Sequence, residues 1–448
     1  MFNPDRALPS NIINSLSEID PLTPPNYLHD RNISGLDGNT MLASTVDRLE
    51  TAAEDMSQLN MTDRGSNVIP DRQLQLDASQ LKYIDSLTGL VKDEPTFQST
   101  SNSIVGGDEL LEPSRELAQT AAVNSASSTP SASEWQVISE NPSLMRYYSR
   151  SVDVDRNTGA VGLNKQGYIS VGLQRHSSQQ LAYGLLTKDI TLLDTSIKVL
   201  EYGFDRQQQD GSFQTTPLSL STGVSAQDTA FFFYDVGHTL LLAKNSTWFQ
   251  TAPETANLRS RLQNLLDPIS HSLSWLNQQS STLQSKDKSG TNRLFIDANA
   301  YYLVGKALGR DDAIALGKNF ARMALQQQSS EGFFLERGGY DSSYNAVALR
   351  HAILFYMNLE PEAKTLRQEL WQGIEKGINW QLTRIAPSGE VLTAGNTRIL
   401  PSGEQYALTG TVKKVDYKEV ILALDYYAKI TGSAVAQDAA NRVRNYRP

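Results

Sequence analysis

Residues 207–213 read Gln-Gln-Gln-Asp-Gly-Ser-Phe, and residues 328–334 read Gln-Ser-Ser-Glu-Gly-Phe-Phe. A fainter copy, Arg384-Ile-Ala-Pro-Ser388-Gly389-Glu390, follows fifty residues later. Each copy closes a helix-like stretch and carries a glycine just past its end. Glycine lets the backbone leave a helix sharply, and the following aromatic can fold back to seal a helix pair. Outward from these loops the chain reads helix, short turn, helix, long loop. The spacing predicts pairs at 177–186 with 191–207, 228–244 with 255–279, 297–308 with 311–327, 343–358 with 361–384, and 416–430 with 433–446. The turns inside pairs are rich in helix breakers: LGRDD (308–312), NLEPEAK (358–364) and ITGSA (430–434).

One supersecondary unit repeated in this way predicts a solenoid or a closed toroid. Several first helices are apolar nearly all round, as in TAFFFYDVGHTLLLA (229–243) and ANAYYLVGKALG (298–309). They are expected to form an inner ring, with the more amphipathic second helices outside. The expected fold is therefore all-α, an (α/α) toroid of about five to six helix hairpins, behind a largely irregular N-terminal segment.

Aromatic content sets the domain boundary. Residues 1–134 hold only Phe2, Tyr27, Tyr83 and Phe97, whereas residues 135–448 hold 32 aromatics, all five tryptophans among them. A segment without large apolar groups does not offset its ordering entropy. Residues 1–134 read as a flexible leader with short helices near 39–59 and 108–122 and a linker at 124–133; residues 135–448 read as the toroid. Charge divides at the same place. The leader carries 8 basic and 20 acidic residues and the remainder 32 and 29, so the net −9 belongs to the leader. The near-neutral core admits an anionic ligand, and no basic stripe suggests nucleic acid.

The chain has no cysteine, which removes disulfides, thiolate metal sites and cysteine nucleophiles. No stretch reaches the roughly 18–20 apolar residues of a membrane helix. Residues 1–20 lack the basic and apolar regions of a Sec signal. The long Ser/Thr/Asn-rich leader favours export by a non-Sec route over a cytoplasmic place. Oligomeric state is left open.

The Gln-x-x-acid-Gly-x-aromatic loop resembles the motif repeated in α/α-barrel proteins, among them triterpene cyclases and several polysaccharide lyases and hydrolases. The run EGFFLERGGYDSSYNAVAL (331–349) is similar to the loops that line the cleft of toroidal lyases, and DGSFQ (210–214) before a Thr/Ser-rich loop looks similar. The resemblance spans about 170–430 as an architecture and implies a carbohydrate-active protein.

Acidic residues are expected to head the inner helices at Asp228, Asp297, Asp341 and Asp416. Capping alone accounts for such residues, and a cap that faces a cavity can also bind. The helix starts and long loops are expected to share one rim, with Glu331, Glu336, Arg337, Tyr340, Tyr344 and Asn345. Two chemistries suit this set. In β-elimination on a uronate, Asn345 or Arg337 holds the carboxylate, and Tyr340, Tyr344 or His238 moves the protons. In hydrolysis a carboxyl pair, Asp297 with Glu331 or Asp228 with Asp341, flanks the glycosidic bond. Asp228, Asp297, Glu331, Asp341 and Phe334 are the expected substrate contacts. Packing or sugar stacking is the plain alternative for both tyrosines.

His351 reads as a core histidine, His238 as core or catalytic, and His29, His176 and His271 as surface residues. No metal-binding spacing occurs, and no cofactor is expected. Residues 153–159, Asp-Val-Asp-Arg-Asn-Thr-Gly, have calcium-like alternation without the glycine and glutamate of that loop, so a plain turn is expected. Clustering of tyrosine, asparagine and arginine between 337 and 350 favours a lyase over a hydrolase. The alternatives are a non-catalytic exported glycan-binding or matrix protein and, third, a class II terpene cyclase relative. That last chemistry needs an Asp-x-Asp-Asp donor, which the chain lacks.

Overall fold

The computed structural model describes residues 130–141, 144–145, 152–216, 225–400, 403–405 and 412–446. The helices expected at 39–59 and 108–122, and most of the linker at 124–133, lie outside them. Among the described residues all regular structure is helical, and β pairing is confined to isolated bridges. A short α1 (Glu134–Glu140) precedes five helix pairs. The inner members are α2 (Ser177–Thr187), α4 (Ser225–Asn245), α9 (Thr291–Leu308), α11 (Ser342–Asn358) and α13 (Tyr417–Thr431). Their outer partners are α3 (Ile190–Phe204), the broken run α5 (Thr247–Thr251), α6 (Ala256–Asn264) and α7 (Leu266–Gln278), then α10 (Asp311–Gln326), α12 (Lys364–Thr383) and α14 (Ala434–Asn445). A further helix, α8 (Ser280–Asp287), leads into α9.

Patterning decides which helix lies inside. Residues 291–305 of α9 are all buried, whereas α10 buries only Ala313, Gly317, Phe320, Ala321 and Ala324, a three-to-four spacing with one apolar stripe. Short turns force each outer helix antiparallel to its inner partner. The inner helices therefore all start at one end of the molecule, the rim, and end at the other, the base. Along the ring α2 packs on α4, α4 on α9, α9 on α11 and α11 on α13. Residues of α2, α4, α11 and α13 line a small cavity near the axis. The all-α hairpin ring expected from the sequence is the observed fold.

The repeated loops do more than end helices. Gln207 bridges Phe213, Gln328 bridges Phe334, and Ile385 bridges Val391; Val154 bridges Val161 in the same manner. Gly159, Gly211, Gly332 and Gly389 have φ of 80°, 89°, 106° and 91°. A Cβ at these positions would stand 2.2, 2.8, 2.6 and 2.1 Å from the carbonyl oxygens of Lys198, His271, Lys376 and Arg442. Those carbonyls belong to the outer helices α3, α7, α12 and α14. Each loop thus docks on the outer helix of the pair that follows it, which joins neighbouring repeats. The calcium-like stretch at 153–159 is the first copy: Asp155 accepts from Asn157 N (2.8 Å) and Thr158 Oγ1 (3.0 Å), as in a plain turn. The third pair lacks such a loop, and α8 takes its place.

The aromatics seal the pairs. Phe213 meets Phe232 edge-on at 5.6 Å, and Phe334 meets Phe295 edge-on at 5.2 Å. Asp341 and Asp416 are N-caps as expected, accepting from Ser343 N and Tyr344 N (3.0 and 3.1 Å) and from Glu419 N (3.2 Å). Two expected helix starts are corrected. Asp228 is the fourth residue of α4 and Asp297 the seventh of α9, because these helices begin earlier, at Ser225 and after Gly290. No described helix is long and apolar enough to cross a membrane.

Candidate functional site

The rim end of α11 carries a dense charged cluster. The chain reaches it through a tight turn at Glu336–Gly339, where Arg337 adopts φ 51°, a left-handed conformation that is costly for a residue with a Cβ. Arg337 N donates to Ser289 O at 2.8 Å, which ties the turn to the start of α9. Opposite, the loop 396–399 is held by Asp341: its Oδ2 accepts from Arg398 N (3.0 Å) and Ile399 N (2.8 Å). Asp341 therefore caps α11 and clamps this loop with the same carboxylate.

The clamp aims Arg398 inward. Its guanidinium lies 4.0 Å from the centre of the Tyr344 ring, and it pairs with Glu336 (2.5 Å) and Glu404 (2.6 Å). Glu404 also takes Lys413 (2.8 Å) and Arg337 (3.4 Å). Burial and the Arg398 charge together push the Lys413 ammonium down to about 7, against the pull of Glu404. Burial also raises the Tyr344 phenol above its ordinary value, although Arg398 opposes this. Tyr344 is half-buried, and its hydroxyl makes no hydrogen bond to the described residues. Arg398, Lys413 and Glu336 are nearly inaccessible, whereas Tyr344, Arg337 and Glu404 keep solvent-facing surface.

Beside this cluster, on α8 and α9, lies a buried carboxyl pair. Asp297 shares a hydrogen bond with Asp287, and Asp287 accepts from Gln227 and from Arg293 (3.2 Å). The two are 2% and 1% exposed. Burial, reinforced by the neighbouring Asp287 charge, raises Asp297 well above the ordinary carboxyl value, which favours a proton on Asp297. Arg293 stands between this pair and Glu336 electrostatically.

A third set lines the axis. His351, two turns below Tyr344 on the same face of α11, meets the Tyr234 ring edge-on at 4.9 Å. Arg350 pairs with Glu419 at 2.8 Å, both 4% exposed at the side chain. His238 stands at 3.2 Å from Glu134 of α1, deep in the ring. His176, expected on the surface, is 5% exposed within this axial set, because φ 72° at the start of α2 turns it under Tyr234.

The expected site residues thus divide. Tyr344, Arg337, Glu336 and Asp341 are assembled at the rim, and Asp297 joins them through Arg293. Tyr340 faces the outer helices: its ring packs on Phe333 (5.6 Å) and Trp380 (5.4 Å), and its hydroxyl donates to Ala394 O at 2.9 Å. Asn345 is buried and spends its amide on Phe334 N and Gln381 Oε1, both at 2.9 Å. Phe334 is core, and Glu331 stands exposed at an outer loop tip. Asp228 is buried at the start of α4 with its Oδ1 beside Gly172.

Sequence reading missed Asp287, Arg293, Arg398, Glu404 and Lys413. All lie in connecting segments or at helix ends, where no periodicity marks a residue as buried. Arg350 was legible in principle, since a charged residue inside Val-Ala-Leu-Arg-His-Ala-Ile-Leu requires a buried partner. Among the described residues no cluster of side chains is arranged to hold a metal ion. No known family model, curated protein or solved structure matches the chain.

Proposed function

We propose that the rim of the ring is the active site of a carbohydrate-active enzyme that cleaves a carboxylated polysaccharide or oligosaccharide by β-elimination. One observation carries the reading: a half-buried Tyr344 hydroxyl with no hydrogen bond to the described residues, seated on Arg398 among Glu336, Glu404, Arg337 and Lys413. A tyrosine whose ionisation is disfavoured keeps its proton at neutral pH and suits donation to a leaving oxygen. Lys413, held near neutrality, is the member of the cluster able to take a proton at working pH. Arg337, the most exposed of the cations, suits a substrate carboxylate. Elimination fits the cluster better than hydrolysis, because Glu336 and Glu404 are both committed to Arg398, and the neighbouring buried pair, Asp287 and Asp297, shares a hydrogen bond. The acid and base of a glycosidase stand at least about 5 Å apart.

The test is turnover of a panel of uronate polymers, followed by the ultraviolet absorbance of the conjugated double bond that elimination creates. Tyr344→Phe keeps the ring on Arg398 and removes only the hydroxyl. It should lower turnover by about 10²-fold or more with an unchanged thermal midpoint. Full activity in this variant would end the assignment of proton transfer to Tyr344. The second reading, a glycan-binding protein without catalysis, draws on the burial of Arg398 and Lys413, which leaves most of the charge committed to internal pairs. Saturable calorimetric binding of a uronate oligomer with no double-bond formation would favour it.

A further inference from the structure

The base of the ring is closed by a piece of the chain itself. Helix α1 has seven residues, too few to be stable alone, so its structure depends on what it docks against. Its entry is clamped: Pro130 O accepts from Tyr356 Oη (2.6 Å) and from Arg367 Nη2 (2.9 Å). Its first residue, Glu134, turns into the axis and is 5% exposed. The carboxylate oxygen Oε2 accepts from Asn358 Nδ2 at 2.7 Å and lies 3.2 Å from His238 Nε2. Burial alone would raise this carboxyl, but His238, Asn358 and Arg350 outweigh it and hold Glu134 below its ordinary value.

Two spaces border this segment, and Asn358, which holds the carboxylate, lines the larger one. On the axial side is a cavity of about 20 Å³, lined by Glu134, Ser178, Gln179, His238, Arg350 and Tyr426 among others, with room for one water. On the basal side is a groove of about 890 Å³, bounded by Pro130, Ser131 and Ser133 together with Lys306, Asn358, Arg367 and Trp371. The α1 segment is the partition between them. The groups around the Glu134 carboxylate come from three inner helices, α2, α4 and α11, plus Tyr426 of α13, so the ring supplies the site and α1 supplies only the anion.

We propose that the ring contains an axial carboxylate-binding site, built from His238, Asn358 and Arg350 and filled in cis by Glu134, which takes a small carboxylate ligand from the basal groove when α1 withdraws. The inference is independent of the sugar reading at the rim, because it concerns the opposite end of the ring and different residues.

Chemical rescue tests it on the full-length chain. Glu134→Ala empties the site of its anion while leaving His238, Asn358 and Arg350 in place. Acetate or formate should then raise the thermal midpoint of the variant by several degrees, saturably, as mass action requires for a ligand of the folded state. Wild type, in which Glu134 competes for the same site, should show the gain only at acetate concentrations at least about tenfold higher, and chloride at equal ionic strength should not substitute. A variant that responds to acetate no more than to chloride would overturn the proposal.

If Glu134→Ala does not fold, a charge exchange decides instead. Asn358→Asp places a second carboxylate against Glu134 and should speed protease cleavage within 130–140 at least tenfold. Adding Glu134→Gln restores one donor and one acceptor and should return cleavage to the wild-type rate. Equal cleavage of wild type and Asn358→Asp would show that Asn358 does not hold the carboxylate, and the site would fall with it.

Discussion

Tyr344 and Tyr340 stand four residues apart, yet only one belongs to the rim cluster. Both look alike in sequence, within Gly-Gly-Tyr-Asp-Ser-Ser-Tyr-Asn. The difference comes from the backbone between them. Tyr340 precedes the extended Asp341 cap and packs against Trp380 of an outer helix, whereas Tyr344 is in the first turn of α11 beneath Arg398. The buried carboxyl pair gives a prediction at this scale. Asp297 has its folded-state value raised above the ordinary 3.8, so the pair is fully compatible with the fold below about pH 4. It costs stability progressively as pH rises towards the folded value. Asp297→Asn cannot ionise and keeps a donor for Asp287. It should match wild type near pH 4 and exceed it at pH 7, the gap opening by up to about 1.4 kcal/mol per pH unit within that window. Denaturation curves at several pH values measure this, and a difference that does not vary with pH would remove the Asp297 proton from the description.

At the scale of elements, the unit of construction is loop, inner helix and outer helix, with the loop glycine pressed on the outer helix that comes next. The motif itself was legible, since glycine after an acid or serine marks a helix exit and a following aromatic marks an anchor. Its partner was not legible, because the carbonyls it meets lie some forty to sixty residues further on and carry no side-chain signal. Gly389→Ala would force a Cβ against Arg442 O in a conformation that L-residues avoid, and should cost at least about 1–2 kcal/mol. Phe213→Ala should cost roughly 3–5 kcal/mol, since the ring is 2% exposed among Phe204, Phe232 and Phe233. Thermal or denaturant midpoints check both. Unchanged midpoints would mean that these loops do not join the repeats.

At the scale of the whole molecule, the five hairpins of the described residues surround an axis packed with ionisable groups. Residues from Pro130 through α1 belong to this assembly: Arg367 and Tyr356 hold the entry, and Ser133 caps the helix at 3.2 Å. Protease should therefore leave 130–140 intact for as long as the ring stays folded, which end-sequencing or mass measurement of the stable fragment would show. A primary cut inside that stretch in the native protein would mean that α1 is not part of the fold. Pro130 and Glu134 thus already touch the ring, ahead of Trp135, where aromatic content alone draws the boundary. The seven-residue helix has too short a pattern to register, and it is ordered by what it docks on.

Apart from α1, α8, the early starts of α4 and α9, and the break of the expected 255–279 helix into α6 and α7, the chain by itself determined the five helix pairs, which member of each lies inside, and the loops that carry the glycine motif. These are local matters: periodicity, capping groups, breakers and the all-round apolarity of helices such as α9 are written within about twenty consecutive residues. Only the tertiary structure decided which polar residues meet. Arg398 reaches Glu336 across 62 positions and Glu134 reaches Asn358 across 224. A charge placed in a loop gives no sign of the partner that will bury it, because that partner is set by how the repeats close around the axis rather than by any neighbouring residue.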